Sequence, residues 1–232
     1  MPTEELSIPI DDPRIDSVSA ILERPEGPER ASAILLAHGA GAPMTSNFMV
    51  AMAAALVARG FPVMRFNYGY MERAEREGKR RPPDRGPGLL SAHRAAITAL
   101  RERTQARILL AGKSLGGRMS TMLAAEGDVD AVGLVLLGYP LHPAGKPERM
   151  RVKHLPDISL PALFLQGTRD ALCDLELLHP ALATYAGDAK LHIIEGGDHG
   201  FAVLKRSGRT NEEVLAELAQ TIDEWESTSL PA

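Results

Sequence analysis

The chain contains one cysteine, Cys173, among 232 residues, so no disulfide can form within it. A lone thiol suits a reducing compartment, and we expect the protein in the cytoplasm. No apolar run approaches the roughly 18 residues of a membrane-spanning helix, and the acidic N-terminus lacks a signal-peptide pattern. The formal net charge of −4 argues against a general nucleic-acid binder. These absences disfavour membrane and nucleic-acid partners and leave the oligomeric state open.

Short apolar runs alternate with helical patterns along the chain. Strands are predicted at 6–10, 17–22, 33–37, 61–66, 108–111, 132–137, 162–165 and 191–194. Helices are predicted at 45–59, 89–103, 118–126 and 175–185 and from Thr210 onward, where Thr210-x-x-Glu213 forms a capping box. Loops are predicted at 72–88 and 138–159. Apolar strands between helices indicate an α/β fold, with a mostly parallel sheet covered on both faces, in one domain over residues 1–232.

Residues 112–116 read Gly-Lys-Ser-Leu-Gly and lie between a predicted strand and a predicted helix. In this context the G-x-S-x-G pattern is typical of a sharp turn that presents the Ser114 hydroxyl above the sheet edge. Gly112 and Gly116 omit the Cβ atoms that would clash where strand and helix approach. A phosphate-binding loop would need glycine where Arg107 stands, which disfavours that interpretation. A chance match in a glycine-rich chain is the other alternative.

Two further polar residues follow predicted strands at the edge where parallel α/β sheets place their active sites. Asp170 follows strand 162–165 and His199 follows strand 191–194, which gives the order Ser114, Asp170, His199. Such an order is typical of α/β-hydrolase catalytic triads. A neutral His199 would take the proton of Ser114, and the carboxylate would hold the imidazole tautomer. Asp174 is the alternative acid, although a helix N-cap explains it equally well.

A serine nucleophile also needs two backbone N–H groups aimed at the developing oxyanion. Leu115, the residue after the nucleophile, is predicted to supply one. The loop after strand 33–37 is predicted to supply the other, from Ala40 first and Gly41 second. A plain tight turn without a catalytic part is the alternative for this loop. Lys113 is expected to point away from the serine and to form part of the rim.

Access to the site depends on the predicted loops. The segment 138–159 is too short for a multi-helix lid, so we expect a shallow or partly open pocket. His142 in this segment could line that pocket. The alternative is that His142 is an ordinary loop residue.

A second loop carries a cluster of arginines. Arg80, Arg81 and Arg85 could form a cationic rim for a carboxylate or phosphate of the substrate, because guanidinium groups bind such anions bidentately. A solvated charged loop is the more common explanation for such a cluster. The sequence leaves both interpretations open.

Several stretches of the chain match one known pattern: 38–42, 80–85, 112–118, 138–143, 167–170 and 197–199. On these residues the chain resembles the α/β-hydrolase superfamily over nearly its whole length. The resemblance is closest to the dienelactone-hydrolase-like branch, which includes testis-expressed protein 30 and the hydrolase-like domain of a nonspecific-lethal complex subunit. It implies an α/β-hydrolase fold, a Ser-His-Asp triad and an oxyanion hole. Dienelactone hydrolases use a cysteine where this chain has Ser114, which weakens the transfer of lactone chemistry to this chain.

These observations favour a serine hydrolase that cleaves an ester, thioester or small amide through an acyl-enzyme. A non-catalytic scaffold with the same fold is the first alternative, but a scaffold has no need of an intact triad. An acyltransferase is the second, and the sequence does not separate it from a hydrolase. The predicted partner is a small-molecule substrate, with an anionic one among the possibilities. No cofactor or metal is predicted.

Overall fold

The computed structural model describes residues 2–230, which form an eight-stranded sheet with helices on both faces. The strands are β1 (Thr3–Asp12), β2 (Ile15–Glu23), β3 (Ser32–Ala37), β4 (Val63–Phe66), β5 (Arg107–Lys113), β6 (Gly133–Leu137), β7 (Ala162–Gly167) and β8 (Ala189–Ile194). Their order across the sheet is β1-β2-β4-β3-β5-β6-β7-β8. Every pair from β4 to β8 is parallel, whereas β2 is antiparallel to both β1 and β4. The predicted α/β fold with a mostly parallel sheet is confirmed.

The helices are α1 (Asn47–Val57), α2 (Gly69–Glu77), α3 (Gly86–Arg101), α4 (Leu115–Ala125), α5 (Leu175–Leu182) and α6 (Asn211–Ser229). Helices α1 and α6 pack on one face of the sheet, and α3, α4 and α5 pack on the other. Strand β3 shows why two layers are needed: Leu35 points into one core and Ile34 into the opposite one, as side chains alternate along a strand. Among the described residues, no helix is both long enough and apolar enough to cross a membrane.

The end helix begins as the sequence predicted. Thr210 accepts a hydrogen bond from the backbone N–H of Glu213 at 3.1 Å, and the Glu213 carboxylate accepts one from the backbone N–H of Thr210 at 2.7 Å. This reciprocal capping box satisfies two N–H groups that the first turn of α6 would otherwise leave unpaired. Ile222 and Trp225 then bury the apolar face of α6 against the sheet.

The predicted loop at 72–88 is wrong at both ends. Helix α2 runs to Glu77 and ends at Gly78, whose φ of 63° gives a left-handed cap, and α3 already begins at Gly86. Charged residues dominate the outer face of α2 and hide its periodicity in the sequence. Its inner face buries Tyr70 and Met71 against the sheet.

Strand β5 lies near the middle of the sheet, between β3 and β6, and delivers the predicted nucleophile to the carboxyl edge. The segment between β6 and β7 contains one short 3₁₀ turn, Leu155–Asp157. It therefore forms no lid over this edge, as its length predicted. The loops after β3, β5, β7 and β8 meet there.

Candidate active site

Ser114 lies at the turn between β5 and α4 in a strained backbone conformation, with φ 51° and ψ −109°. A residue with a Cβ atom rarely adopts a positive φ, and such strain is typical of functional sites. A Cβ on Gly112 would clash with the backbone of Gly117, and one on Gly116 would clash with the carbonyl of Ala37. Both glycines are therefore required for strand, turn and helix to pack this closely.

A continuous chain of hydrogen bonds joins Ser114 to His199 and Asp170. His199 Nε2 lies 2.9 Å from Ser114 Oγ, and His199 Nδ1 lies 2.8 Å from Asp170 Oδ2. A carboxylate only accepts hydrogen bonds, so Nδ1 carries the proton and donates to Asp170. The lone pair of Nε2 then faces the Ser114 hydroxyl, which is the tautomer that a general base needs.

The Asp170 side chain is completely buried, and three groups donate to it. Besides His199, the Leu172 N–H donates to Oδ1 at 2.8 Å and the Gln166 amide donates to Oδ2 at 2.6 Å. Burial alone would raise the pKa of Asp170. The hydrogen bonds from His199, Leu172 and Gln166 outweigh burial and hold that pKa below its ordinary value. The carboxylate is therefore ionised at neutral pH.

The alternative acid, Asp174, has a different position. It is the N-cap of α5, where its Oδ1 accepts a hydrogen bond from the Glu176 N–H at 2.9 Å. A residue in this position satisfies a backbone donor of the first helical turn. Of the two candidate acids, the structure brings Asp170 to His199.

The loop after β3 approaches the serine on its other side. A Cβ on Gly39 would lie 3.5 Å from Ser114 Cβ, so backbone and nucleophile are in direct proximity. Ala40 and Leu115, the predicted donors to an oxyanion, line one cavity together with Ser114. Gly41, the second choice for the donor from this loop, lines a neighbouring cavity with Met71.

A buried histidine braces the same loop. His38 Nε2 accepts a hydrogen bond from the Tyr68 N–H at 3.1 Å, so the proton resides on Nδ1, which donates to the Gly39 carbonyl at 2.7 Å. Burial lowers the pKa of His38 to about 4. The hydrogen bond to the Gly39 carbonyl favours the protonated form and offsets only part of this lowering. His38 is therefore neutral at physiological pH, and both of its ring nitrogens hold backbone groups.

Lys113 is buried rather than at the rim, so its predicted position is wrong. Its ammonium group donates to the backbone carbonyl of His199 and lies 5.3 Å from the ring centre of Phe201 and 5.9 Å from that of Phe48. Burial lowers the pKa of Lys113 to about 8. Period-two alternation along β5 could have revealed this position, because Ala111 points into the same core layer. Lys113 thus ties the nucleophile strand to the loop that carries His199.

The cavity beside Ser114 has a volume of about 540 Å³. Its wall combines apolar side chains with two arginines, namely Leu89, Leu115, Met119, Met122, Leu172, Arg118 and Arg151. Arg118 was not among the predicted substrate-binding residues, and Arg151 was considered only as one of the charged residues of the loop 138–159. Arg118 follows Ser114 by four positions, which is the spacing of neighbours on one face of a helix. This spacing could have indicated that Arg118 lies on the same side of α4 as the serine. Arg151 carries no comparable signal.

The predicted substrate-binding residues lie elsewhere. Arg81 and Arg85 line a separate cavity with Arg14 and Arg73, and Arg81 forms an ion pair with Glu77. The neighbouring cavity that Gly41 lines is also lined by Arg80. The structure therefore does not bring the predicted arginine cluster to the wall of the Ser114 cavity.

His142 is buried and fastens one loop to another. Its Nε2 accepts a hydrogen bond from the Asp174 N–H at 3.0 Å, and its Nδ1 lies 3.0 Å from the Pro143 carbonyl. This arrangement braces the segment after β6 against the loop that contains Asp170. Within residues 2–230 there is no cluster of three or more His, Cys, Asp or Glu side chains that could hold a metal ion.

Known proteins share both the sequence pattern and the architecture. The family described as Alpha/beta hydrolase domain matches residues 30–227. The structure resembles that of a dienelactone hydrolase from Anabaena variabilis, with a TM-score of 0.75 and 22% identity over 99% of each chain. An alpha-beta serine hydrolase homologue from Coxiella burnetii has a TM-score of 0.73 and 21% identity over 96% of this chain and 98% of its own. A serine hydrolase without a lid from Xanthomonas campestris has a TM-score of 0.69 and 23% identity over 100% of this chain and 98% of its own.

Proposed function

The chain belongs to the Alpha/beta hydrolase domain family, and from that premise we propose that it is a serine hydrolase that cleaves esters, thioesters or small amides. The observation that carries the proposal is the hydrogen-bonded chain from Ser114 through His199 to a buried, ionised Asp170. The strained backbone of Ser114 gives independent support, since strain of this kind is maintained only where the surrounding structure imposes it.

The proposed reaction begins with attack of Ser114 Oγ on the substrate carbonyl carbon while His199 Nε2 takes the hydroxyl proton. The N–H groups of Leu115 and Ala40 stabilise the oxyanion of the tetrahedral intermediate. His199 then returns the proton to the leaving alcohol, thiol or amine, which leaves an acyl group on Ser114. Water attacks this acyl-enzyme, with His199 again as the base, and releases the acid. Asp170 holds the imidazole throughout and balances its charge.

The test is reaction with a fluorophosphonate probe together with hydrolysis of short p-nitrophenyl esters. Wild-type protein should take the label and release p-nitrophenol. Ser114→Ala should abolish labelling and lower kcat by as much as about 10⁶-fold, whereas Ser207→Ala, at an exposed serine, should change neither. Wild-type protein that takes no label and hydrolyses no ester would support the scaffold alternative instead.

The acyltransferase alternative predicts a different time course. A burst of p-nitrophenol should be followed by slow turnover in water, and an added alcohol or amine should accelerate that turnover because it resolves the acyl-enzyme. A hydrolase should show a steady rate that such acceptors change little.

Two finer assignments accompany the proposal. We place the chain in the dienelactone-hydrolase-like branch, on the motifs quoted above and the shared architecture, with serine instead of cysteine as nucleophile. The resemblance to testis-expressed protein 30 and to the nonspecific-lethal complex subunit is part of this placement. A cytoplasmic location stays a prediction from the lone Cys173.

A further inference from the structure

Two arginines line the cavity beside Ser114, and no acidic side chain in the part of the chain that the structure describes neutralises them. Arg118 lies on α4, one helical turn after the serine, and Arg151 belongs to the segment between β6 and β7. No carboxylate of residues 2–230 lies within salt-bridge distance of either guanidinium group. Positive charge is therefore concentrated at the wall of the proposed active site.

The hydrogen bonds of both guanidinium groups are also incomplete. Arg118 Nε is buried without a hydrogen-bond partner. Arg151 Nη1 donates to the carbonyl of Pro140 at a long 3.3 Å. The backbone of Arg151 is held firmly by comparison, because its N–H donates to Leu141 at 2.8 Å and its carbonyl accepts from the Tyr139 hydroxyl at 2.8 Å. The side chains thus have donor capacity that the fold does not use.

Arg118 is close enough to Arg151 and to His154 to lower the pKa of each. Burial and then repulsion from Arg118 lower the pKa of Arg151. The same two causes, in the same order, lower the pKa of His154. Like charges in a partly buried setting cost free energy unless a counter-charge is present. An anion that binds between the arginines would remove that cost.

The acidic side chain that lines this cavity does not supply the counter-charge. Asp84 Oδ1 accepts hydrogen bonds from Arg73 at 2.5 Å and from Arg14 at 2.8 Å, so its charge is already balanced by two other arginines. Residues 2–230 therefore do not supply the negative charge that would balance Arg118 and Arg151.

We propose that Arg118 and Arg151 bind an anionic group of the substrate, so that the enzyme prefers esters or thioesters that carry a carboxylate or phosphate on a short apolar chain. This inference rests on the proposed function. Guanidinium forks match the oxygens of either anion. The apolar side chains that line the same cavity, Leu115 and Met119 among them, suit the methylene groups of such a chain. Four residues of α-helix rise by roughly 6 Å, which sets the scale of the spacing from Ser114 to Arg118.

The kinetic test compares mono-p-nitrophenyl glutarate, which carries a free carboxylate, with its neutral methyl ester. Wild-type kcat/KM should favour the anionic ester by about 10- to 100-fold, as expected for one or two charge-assisted hydrogen bonds. The ratio should fall in Arg118→Gln and in Arg151→Gln and approach 1 in the double variant. Arg118→Lys, which keeps the charge without the planar fork, should retain part of the preference.

Arg81→Gln is the matched control, because Arg81 lies in the adjacent cavity and pairs with Glu77. It should keep the wild-type ratio. Equal wild-type rates on the two esters, or a preference that survives the double substitution, would overturn the anion site while leaving the serine hydrolase intact.

A binding measurement separates this inference from the proposed function. Monomethyl glutarate and inorganic phosphate are titrated separately into full-length Ser114→Ala protein by calorimetry, with and without the double arginine substitution. Binding that requires the two arginines supports the anion site even if the wild-type protein hydrolyses no ester, and the tighter of the two anions identifies the preferred group. Binding of neither anion, or equal binding without the arginines, overturns it.

Discussion

Two neighbouring regions of this molecule handle positive charge in opposite ways. The first is the ion-pair cluster of Asp12, Arg14, Arg73 and Asp84, at the junction of the β1–β2 turn with α2 and the loop that follows it. Arg73 lies 2.5 Å from Asp84, and the exposed fraction of each side chain is 6%. The second is the Ser114 cavity, where Arg118 and Arg151 line the wall without acidic partners among residues 2–230. Charge that the fold itself balances stabilises the fold, whereas unbalanced charge beside a nucleophile is available to a ligand.

The comparison also corrects the interpretation of clustered arginines in a sequence. The stretch that includes Arg80, Arg81 and Arg85 contains more cations than the surroundings of Arg118, and the sequence suggested an anion site there as the alternative to a solvated charged loop. Position in the fold matters more than this density. Arg80 and Arg85 have no acidic partner among residues 2–230 but line cavities other than that of Ser114, and Arg81 also pairs with Glu77. Compensation depends on which side chains meet in space, and density along the chain does not reveal it.

The first prediction, with the largest effect among those that compare the two regions, concerns the active site alone. Asp170→Asn should lower kcat by roughly 10⁴-fold, because the amide stabilises the wrong imidazole tautomer and cannot balance the imidazolium. Asp174→Asn should change little, since asparagine caps a helix as well as aspartate does. Steady-state kinetics on a p-nitrophenyl ester measures both. The reverse ranking would assign the triad acid to Asp174.

The second prediction concerns a substitution that disrupts only the ion-pair cluster. Arg73→Gln leaves Asp84 buried with only the half-exposed Arg14 as a cation, so the free energy of unfolding should fall by up to about 3–5 kcal/mol. Urea denaturation measures that loss, and kcat is compared per folded molecule. A large fall in kcat with unchanged stability would contradict the division between the two regions.

A smaller effect tests whether buried His38, which braces the loop beside Ser114, contributes to the stability of the fold. The pKa of His38 is about 4 in the folded protein and 6.5 as its ordinary value, so unfolding takes up a proton between these limits. The contribution of neutral His38 is therefore complete above pH 6.5 and is lost as the pH falls toward 4. Its size is up to about 3 kcal/mol.

Urea unfolding of the wild-type protein and His38→Gln between pH 4 and pH 7 isolates this contribution. The stability difference between the two proteins should shrink as the pH falls through that window. His179→Gln, at an exposed histidine, should show no such trend. A difference that is independent of pH would show that His38 contributes by packing alone.

The smallest effect lies at the exposed border of the arginine-rich stretch. Arg81→Gln removes an ion pair with Glu77 in which the side chains keep 40% and 32% of their exposure. Exposed pairs of this kind contribute little to stability, and salt screens them. Urea denaturation at low and high salt should therefore give nearly equal stabilities for variant and wild type. A loss comparable with that of Arg73→Gln would mean that exposure is a poor guide to charge compensation here.

Local patterns carried the prediction of the fold. Continuous apolar strands such as β3 and β5 between amphipathic helices indicated the parallel sheet, because a strand buried on both faces has no polar side. The capping box at Thr210 located the start of α6 to the residue. Helix α2 was missed because five of its nine residues are charged and one of these, Arg73, is itself buried, so that no apolar stripe stands out.

The candidate site divides in the same way. The sequence by itself determined the strand-to-helix turn at Ser114, since G-x-S-x-G is a local requirement of a crowded turn, and it determined the chain order of Ser114, Asp170 and His199. Only the tertiary structure decided that Asp170 rather than Asp174 contacts His199. It also decided that Lys113 turns inward and donates to the backbone carbonyl of His199. It also decided that Arg118 and Arg151 line the cavity in place of the arginines at 80, 81 and 85. The physical reason is that backbone geometry is set by neighbours along the chain, whereas burial and charge compensation depend on residues that are distant in sequence and adjacent only in the folded protein.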